Sequence, residues 1–159
     1  MESPTGSIET LKALVGSSLG TSGWIEMTQA KFDTFAEITG DADWLHNDPE
    51  RCAKESPFDR KTIAQGHLLL AHLSHVGESL LPRPEGELLF ALNYGYDRVR
   101  FIRPVRVGSR IRGRLRLLAI HPRSEPGRHV IETEATLEVE GSEAPHLVAH
   151  WLFLVQTAA

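Results

Sequence analysis

Residues 62–82, TIAQGHLLLAHLSHVGESLLP, carry the strongest helical pattern in the chain. Leu69, Leu73, Val76 and Leu80 fall at helical spacing and make one continuous apolar stripe. Leu68, Leu70 and Leu81 widen that stripe almost all round, which predicts a helix buried inside a domain. Pro82 and Pro84 are expected to stop it.

So apolar a helix needs a cover, and the sequence downstream supplies one. From Leu88 onward the period changes to two. LFALNYGYDRVRFIRPV (89–105) reads as extended, with Pro104 interrupting or bending it. Residues 109–120 alternate Arg110, Arg112, Arg114 and Arg116 with Ile111, Gly113, Leu115 and Leu117. Residues 129–140 alternate Glu132, Glu134, Glu138 and Glu140 with Ile131, Thr133, Ala135, Leu137 and Val139, and HLVAHWLFLVQ (146–156) closes the chain. The expectation is an α+β domain: an antiparallel sheet of four long strands wrapped around a long central helix.

The charged rows explain each other. Paired across the 121–128 link, Arg116 is expected opposite Glu132 and Arg114 opposite Glu134. The arginine row then reads as a solvated sheet face rather than a polyanion site. Arg98, Arg100, Arg103 and Arg106 lie outside that pairing and remain available to a phosphate.

Upstream, residues 8–15 are weakly helical, GSSLGTSG breaks the pattern, and GWIEM is a short extended piece. Thr28 is placed to cap a helix over 29–39, Gly40 to end it, and Asp48 to cap a turn opening at Pro49. ESPFDRKT reads as loop. With 159 residues, no internal repeat and no dividing linker, the chain reads as one domain over 1–159.

A net charge of −4 argues against a general nucleic-acid or anionic-membrane binder. The single cysteine, Cys52, excludes an intramolecular disulfide or thiolate cluster and fits a reducing cytoplasm. The N-terminus does not read as a signal peptide, and no apolar run is long enough for a membrane helix. A soluble, cytoplasmic protein is expected.

ITGDADWLHND (38–48) follows the first helix. Asp41 and His46 are close enough in sequence for a turn to bring carboxylate and imidazole together, and histidine exchanges protons near neutral pH. Trp44 and Leu45 would then wall off bulk water. Taken alone, the spacing favours a capping aspartate and a surface histidine.

FAEITGDADWLHNDPERCA, followed by PFDRKTIAQGHLLLAHLSHV, resembles the signature of the MaoC-like (R)-specific enoyl-CoA hydratases, and NYGYDRVRFIRPVRVGSRI continues the likeness. The aromatic after the second acidic position is similar to the subgroup of the nodulation protein N type. The resemblance spans about residues 24–155 and implies a hot-dog fold. It implies hydration of a trans-2-enoyl-CoA thioester, or the reverse dehydration, with Asp41 and His46 activating water and the Gly66 backbone N–H stabilising the enolate. Asp43, Trp44, Leu45, Phe58, Gln65 and His67 are the expected pocket residues. Two positions depart from the motif: its Asn-Pro is Asp43-Trp44 here, and its Ala-His-Gly is Ala64-Gln65-Gly66.

The resemblance further implies a homodimer, an acyl-CoA substrate and no cofactor beyond the substrate's own coenzyme A. His72 and His75 are spaced like half a metal site, but no supporting ligand set accompanies them, so no metal is expected. Cys52 is expected to be a packed residue, and Asn93 and Tyr94 to lie near substrate. The rival readings are an acyl-CoA thioesterase, for which the helix offers only the distant Glu78, and a non-catalytic acyl-thioester binder.

Overall fold

The computed structural model describes residues 8–81 and 88–158. In chain order the elements are α1 (Ile8–Lys12), β1 (Ser18–Thr21), β2 (Ile25–Glu26), α2 (Gln29–Thr39), α3 (Trp44–Asn47), α4 (Pro49–Glu55), α5 (Gly66–Ala71), α6 (Leu73–Leu80), β3 (Leu88–Phe101), β4 (Arg110–Pro122), β5 (Arg128–Val139) and β6 (Leu147–Thr157). The four long strands are antiparallel, in the order β4-β5-β6-β3, and β1 and β2 both pair with β4.

The helix pattern of residues 62–82 resolves into α5 and α6, and Thr62–Gln65 lead in without helical structure. The interruption is at His72. Its Nδ1–H donates to the Leu68 carbonyl at 2.8 Å, an oxygen that also accepts the His72 backbone N–H at 3.1 Å. A side chain competing for a ladder carbonyl disturbs the regular turn. Pro82 and Pro84 lie outside the described residues.

The expectation of burial all round is corrected too. Leu68, Leu69, Leu73, Val76 and Leu80 are buried, but His67, Ala71, Ser74, His75 and Glu78 form an exposed face. A sheet curving over a helix covers one side of it. The close approach is made by glycines. A Cβ at Gly113 of β4 would lie 2.2 Å from Val76 Cγ2, and one at Gly77 would lie 2.6 Å from Trp151 Cη2 of β6. Neither position has room for a side chain.

The charge ladder forms in a different register from the one expected. Arg116 faces Glu134, Arg114 faces Thr136 and Arg112 faces Glu138, two residues beyond the predicted partners. The hairpin turn and a bulge between Leu117 and Ala119 set the offset, and because it is even, the charged side chains keep one face. Glu138 accepts from Arg112 Nε at 2.9 Å and pairs with Arg114 Nη2 at 3.0 Å, while Arg110 pairs with Glu140 at 3.0 Å. Arg110, Arg112 and Arg114 therefore have counter-charges, while Arg116 Nε donates to the Gly16 carbonyl at 3.0 Å.

Near the N-terminal end, Thr28 occupies the N-cap of α2 without a side-chain cap bond. Gly40 ends α2 with φ 76°, a left-handed conformation that costs glycine nothing. Asp48 caps α4, accepting the Arg51 N–H at 2.9 Å. β1 was hidden in a glycine- and serine-rich stretch that reads as a break. Pairing with β4 overrides that local preference.

Candidate active site

Hydrogen bonds tie the connection after α2 to the lead-in of α5. The Ile63 N–H donates to the Leu45 carbonyl at 3.0 Å, and His46 Nδ1 lies 2.7 Å from the Ile63 carbonyl oxygen. Gln65 Nε2 donates to the carbonyls of Phe32 at 3.0 Å and Asp41 at 3.3 Å. The fold thus gathers Asp41, His46 and the start of α5, where Gly66 sits, into one small region.

The His46 contact fixes a tautomer. A carbonyl oxygen can only accept, so Nδ1 carries the proton and Nε2 is left for other chemistry. Both His46 and Asp41 are half-buried. Among the described residues nothing donates to the Asp41 carboxylate; its local contacts are backbone ones, through the carbonyl to Gln65 and the N–H to Thr39 Oγ1 at 3.3 Å.

Asp43 is exposed and caps α3, its Oδ1 accepting the Leu45 N–H at 2.9 Å. A short polar side chain in that position starts the turn that carries His46. Trp44 lies under Arg51, whose guanidinium carbon is 4.2 Å from the ring centroid. Arg51 thus covers the ring from the α4 side.

Gln65 is fully buried, and its Oε1 has no partner. At Gly66 a Cβ would come within 3.2 Å of the Phe101 ring, which lies against the backbone there. His67 meets the same ring edge-on, with centroids 6.2 Å apart. Phe58 borders a separate cavity of about 400 Å³ with Arg103, Arg106 and His146.

An apolar groove of about 390 Å³ runs between α2 and α5, lined by Phe35, Ile38, Leu68 and His72. Phe35 and Ile38 lead directly into Gly40 and Asp41, and Leu68 follows Gly66 by half a turn. A larger cavity of about 460 Å³ lies beside α6, against Leu88, Trp151 and Phe153. Glu78 borders it, three turns of helix beyond Gly66, roughly 18 Å along the axis.

The remaining candidates have structural partners. Cys52 is buried, its thiol directed at the Trp44 carbonyl at 3.4 Å, and burial pushes its pKa up. Asn93 accepts from Trp151 Nε1 at 3.0 Å, and Tyr94 lies under Arg123, 5.6 Å from its ring centroid. Among the described residues no cluster could hold a metal ion, and no helix is long and apolar enough to cross a membrane.

Sequence reasoning missed the polar supports behind His46. Gln29 Nε2 donates to the His46 carbonyl at 2.8 Å and to Asp33 Oδ1 at 2.9 Å. Thr62 donates to Gln29 Oε1 at 2.6 Å, and Asn47 to Asp33 at 2.7 Å. Ordinary polar residues on α2, without motif or spacing, gave no local signal of this role.

The model of the MaoC-like domain matches residues 10–141. The chain belongs to the MaoC-like dehydratase family. It is 42% identical over 152 residues to nodulation protein N of Rhizobium meliloti, covering 94% of this chain and 91% of that protein. It is 39% identical over 149 residues to 3-hydroxyacyl-thioester dehydratase Z of Mycobacterium tuberculosis, covering 90% and 91%. In fold it resembles the monoamine oxidase regulatory protein of Archaeoglobus, with a TM-score of 0.78 at 23% identity over 100% of this chain and 99% of that one. The MaoC-like membership and the helix-on-sheet architecture together make this a hot-dog domain.

Proposed function

We propose that this chain is a hydro-lyase that adds water to trans-2-enoyl thioesters, or removes it from (R)-3-hydroxyacyl thioesters, with coenzyme A as the carrier. The observation that carries the reading is the His46–Ile63 hydrogen bond, which leaves Nε2 of a half-buried histidine unoccupied beside the segment holding Asp41. In the hydration direction Asp41 and His46 hold one water and take a proton from it. Its oxygen bonds to the β-carbon, and the double-bond electrons move onto the thioester oxygen. The Gly66 N–H stabilises that enolate, and a proton delivered to the α-carbon on the same face completes the (R)-3-hydroxyacyl product.

The groove between α2 and α5 suits the acyl chain, because it is apolar and its lining residues Ile38 and Leu68 lie within three residues of Asp41 and Gly66 in the chain. Dehydration of 3-hydroxyacyl thioesters by the mycobacterial relative supports the same reaction class here. Glu78 lies too far along the helix to serve a thioester held at Gly66, which argues against thioester hydrolysis. The working unit in this reading is a homodimer in the cytoplasm, joined through the open edge of β3.

The test is loss of enoyl-thioester absorbance on crotonyl-CoA and a longer trans-2-enoyl-CoA. Turnover that falls at least a hundredfold in Asp41→Asn and in His46→Ala is expected. Acyl-CoA binding without turnover, unchanged by either substitution, would make the chain a binding protein instead.

A further inference from the structure

The cavity between the 57–59 loop and the 139–146 turn has features of a built anion site. Arg103 and Arg106 both line it. Its carboxylates are already engaged: Asp59 pairs with Arg106, and Glu140 with Arg110. Arg103 makes no ion pair or side-chain hydrogen bond among the described residues, so a cation is left over. Arg106 retains donors as well, since a guanidinium has five N–H groups and one carboxylate cannot use them all.

His146 forms the inner wall. It is 7% exposed, and its Nδ1 is buried without a partner. Its backbone is fixed, the carbonyl accepting from Ile102 at 2.8 Å and the N–H donating to Leu137 at 2.8 Å. Burial holds the imidazole below its ordinary pKa, and the nearby Arg103 and Arg106 act in the same direction against the Ala144 carbonyl. It therefore adds no charge of its own near neutral pH. Asp59 and Arg60 hold φ at 55° and 60°, a left-handed pair without a glycine, which places the Asp59 carboxylate on Arg106.

The cavity is also coupled to the candidate active site. Arg106 forms a β-bridge with Ile63, the residue whose carbonyl holds His46, and the Ala64 N–H donates to the Val105 carbonyl at 2.7 Å. From Ile63 to Gly66 is a span of roughly 10 Å at most. The arm linking a thioester to its phosphate in coenzyme A has about fourteen bonds and extends roughly 16 Å at the same rise per bond. The arm therefore exceeds the Ile63–Gly66 span by roughly 6 Å, about the width of the bridge from Ile63 to Arg106.

We infer that the cavity lined by Arg103, Arg106 and His146 is an anion subsite that holds the phosphate at the far end of a pantetheine arm. This rests on the thioester reading above and deepens it. The phosphate is common to coenzyme A and to the prosthetic arm of a carrier protein, so the subsite accepts the shared chemistry. Arg103 supplies the free charge, Arg106 adds donors from its paired guanidinium, and Phe58 with Pro104 gives the arm an apolar flank.

The test compares wild type with Arg103→Gln, an exposed position whose replacement leaves the fold intact. The first readout is the Kd of coenzyme A itself by calorimetry, which needs no turnover. The others are KM values for crotonyl-CoA, crotonyl-4′-phosphopantetheine and crotonyl-pantetheine. The expected result is about a tenfold weaker Kd and a KM raised about tenfold for both phosphate-bearing thioesters, with kcat and the pantetheine thioester unchanged.

An unchanged Kd, or an equal loss with the phosphate-free thioester, would overturn the subsite. A shift for crotonyl-CoA alone would overturn the pantetheine-phosphate assignment in favour of the nucleotide phosphates. If no enoyl thioester turns over, the hydratase reading fails while the Kd comparison still decides the subsite.

Discussion

His46 Nδ1 and the Ile63 carbonyl oxygen are 2.7 Å apart, so one hydrogen bond sets both the orientation and the tautomer of the proposed general base. Asparagine can imitate the donor but not the base. His46→Ala removes both and leaves the carbonyl unpaired, at a cost of about 1 kcal/mol in stability. His46→Asn, whose amide N–H reaches the position of Nδ1, should unfold in urea close to wild type. Both variants should lose about a hundredfold or more in kcat, the usual contribution of a positioned acid–base group. Equal destabilisation of the two would mean that the Ile63 bond does not anchor the ring.

Gly113 and Val76 mark the closest approach of helix to sheet, and they should behave as a coupled pair. A Cβ at Gly113 would sit 2.2 Å from Val76 Cγ2, with both residues buried in the core. Gly113→Ala should destabilise by about 2 kcal/mol through overpacking. Val76→Ala alone leaves a cavity, also at a cost of about 2 kcal/mol. The double variant should be more stable than the sum of the two losses, by about 1 kcal/mol or more in denaturant titrations. Simple additivity would show that the helix shifts instead of clashing.

Much of this was legible in the sequence because it was periodic. The alternation in 109–120 and 129–140 was enough to give the strands, the hairpin and the solvated charge face. It could not give the register, since the bulge between Leu117 and Ala119 shifts the pairing without any mark in the alternation. Gly40, Asp48 and Pro49 marked helix ends by their own backbone preferences, whereas the irregular turn at His72 arose from one side chain finding the Leu68 carbonyl. At the site, Asp41 and His46 stood out by type and order. The roles of Ile63, Gln29 and Phe101 depend on contacts between distant segments, and no local pattern carries those.

Protonation of His72 should erode stability on mild acidification. Burial holds its imidazole below the ordinary value, against an opposing contribution from the Leu68 carbonyl. The folded state therefore resists a proton that the unfolded chain accepts near pH 6.5. This contribution is complete above about pH 6.5 and is lost as pH falls through the lower folded value. Glu132, lowered chiefly by its hydrogen bond from His121 and also by His150, adds a second loss further into acid, below the ordinary carboxylate range. Urea midpoints should fall between pH 7.5 and 5, and His72→Leu should reduce that fall to the part left by His146, whose imidazole burial also lowers, while leaving the steeper acid limb. A wild-type midpoint constant down to pH 5 would contradict the assignment.

The open edge of β3 should be where two copies meet. Among the described residues β3 pairs with β6 on one side only, and Leu89, Leu92 and Tyr94 along it are 67%, 53% and 53% exposed. A long apolar edge with unpaired backbone groups is a liability in a monomer. A second copy of the same strand, laid antiparallel, would pair those groups and bury the side chains together. Wild type is expected to sediment as a dimer at micromolar concentration. Leu92→Lys, which puts a charge in the middle of the edge without touching α5 or the His46 segment, should sediment as a monomer and keep its circular dichroism. A dimer that survives this change would place the contact elsewhere on the surface, and a monomeric wild type would remove the dimer from the proposal.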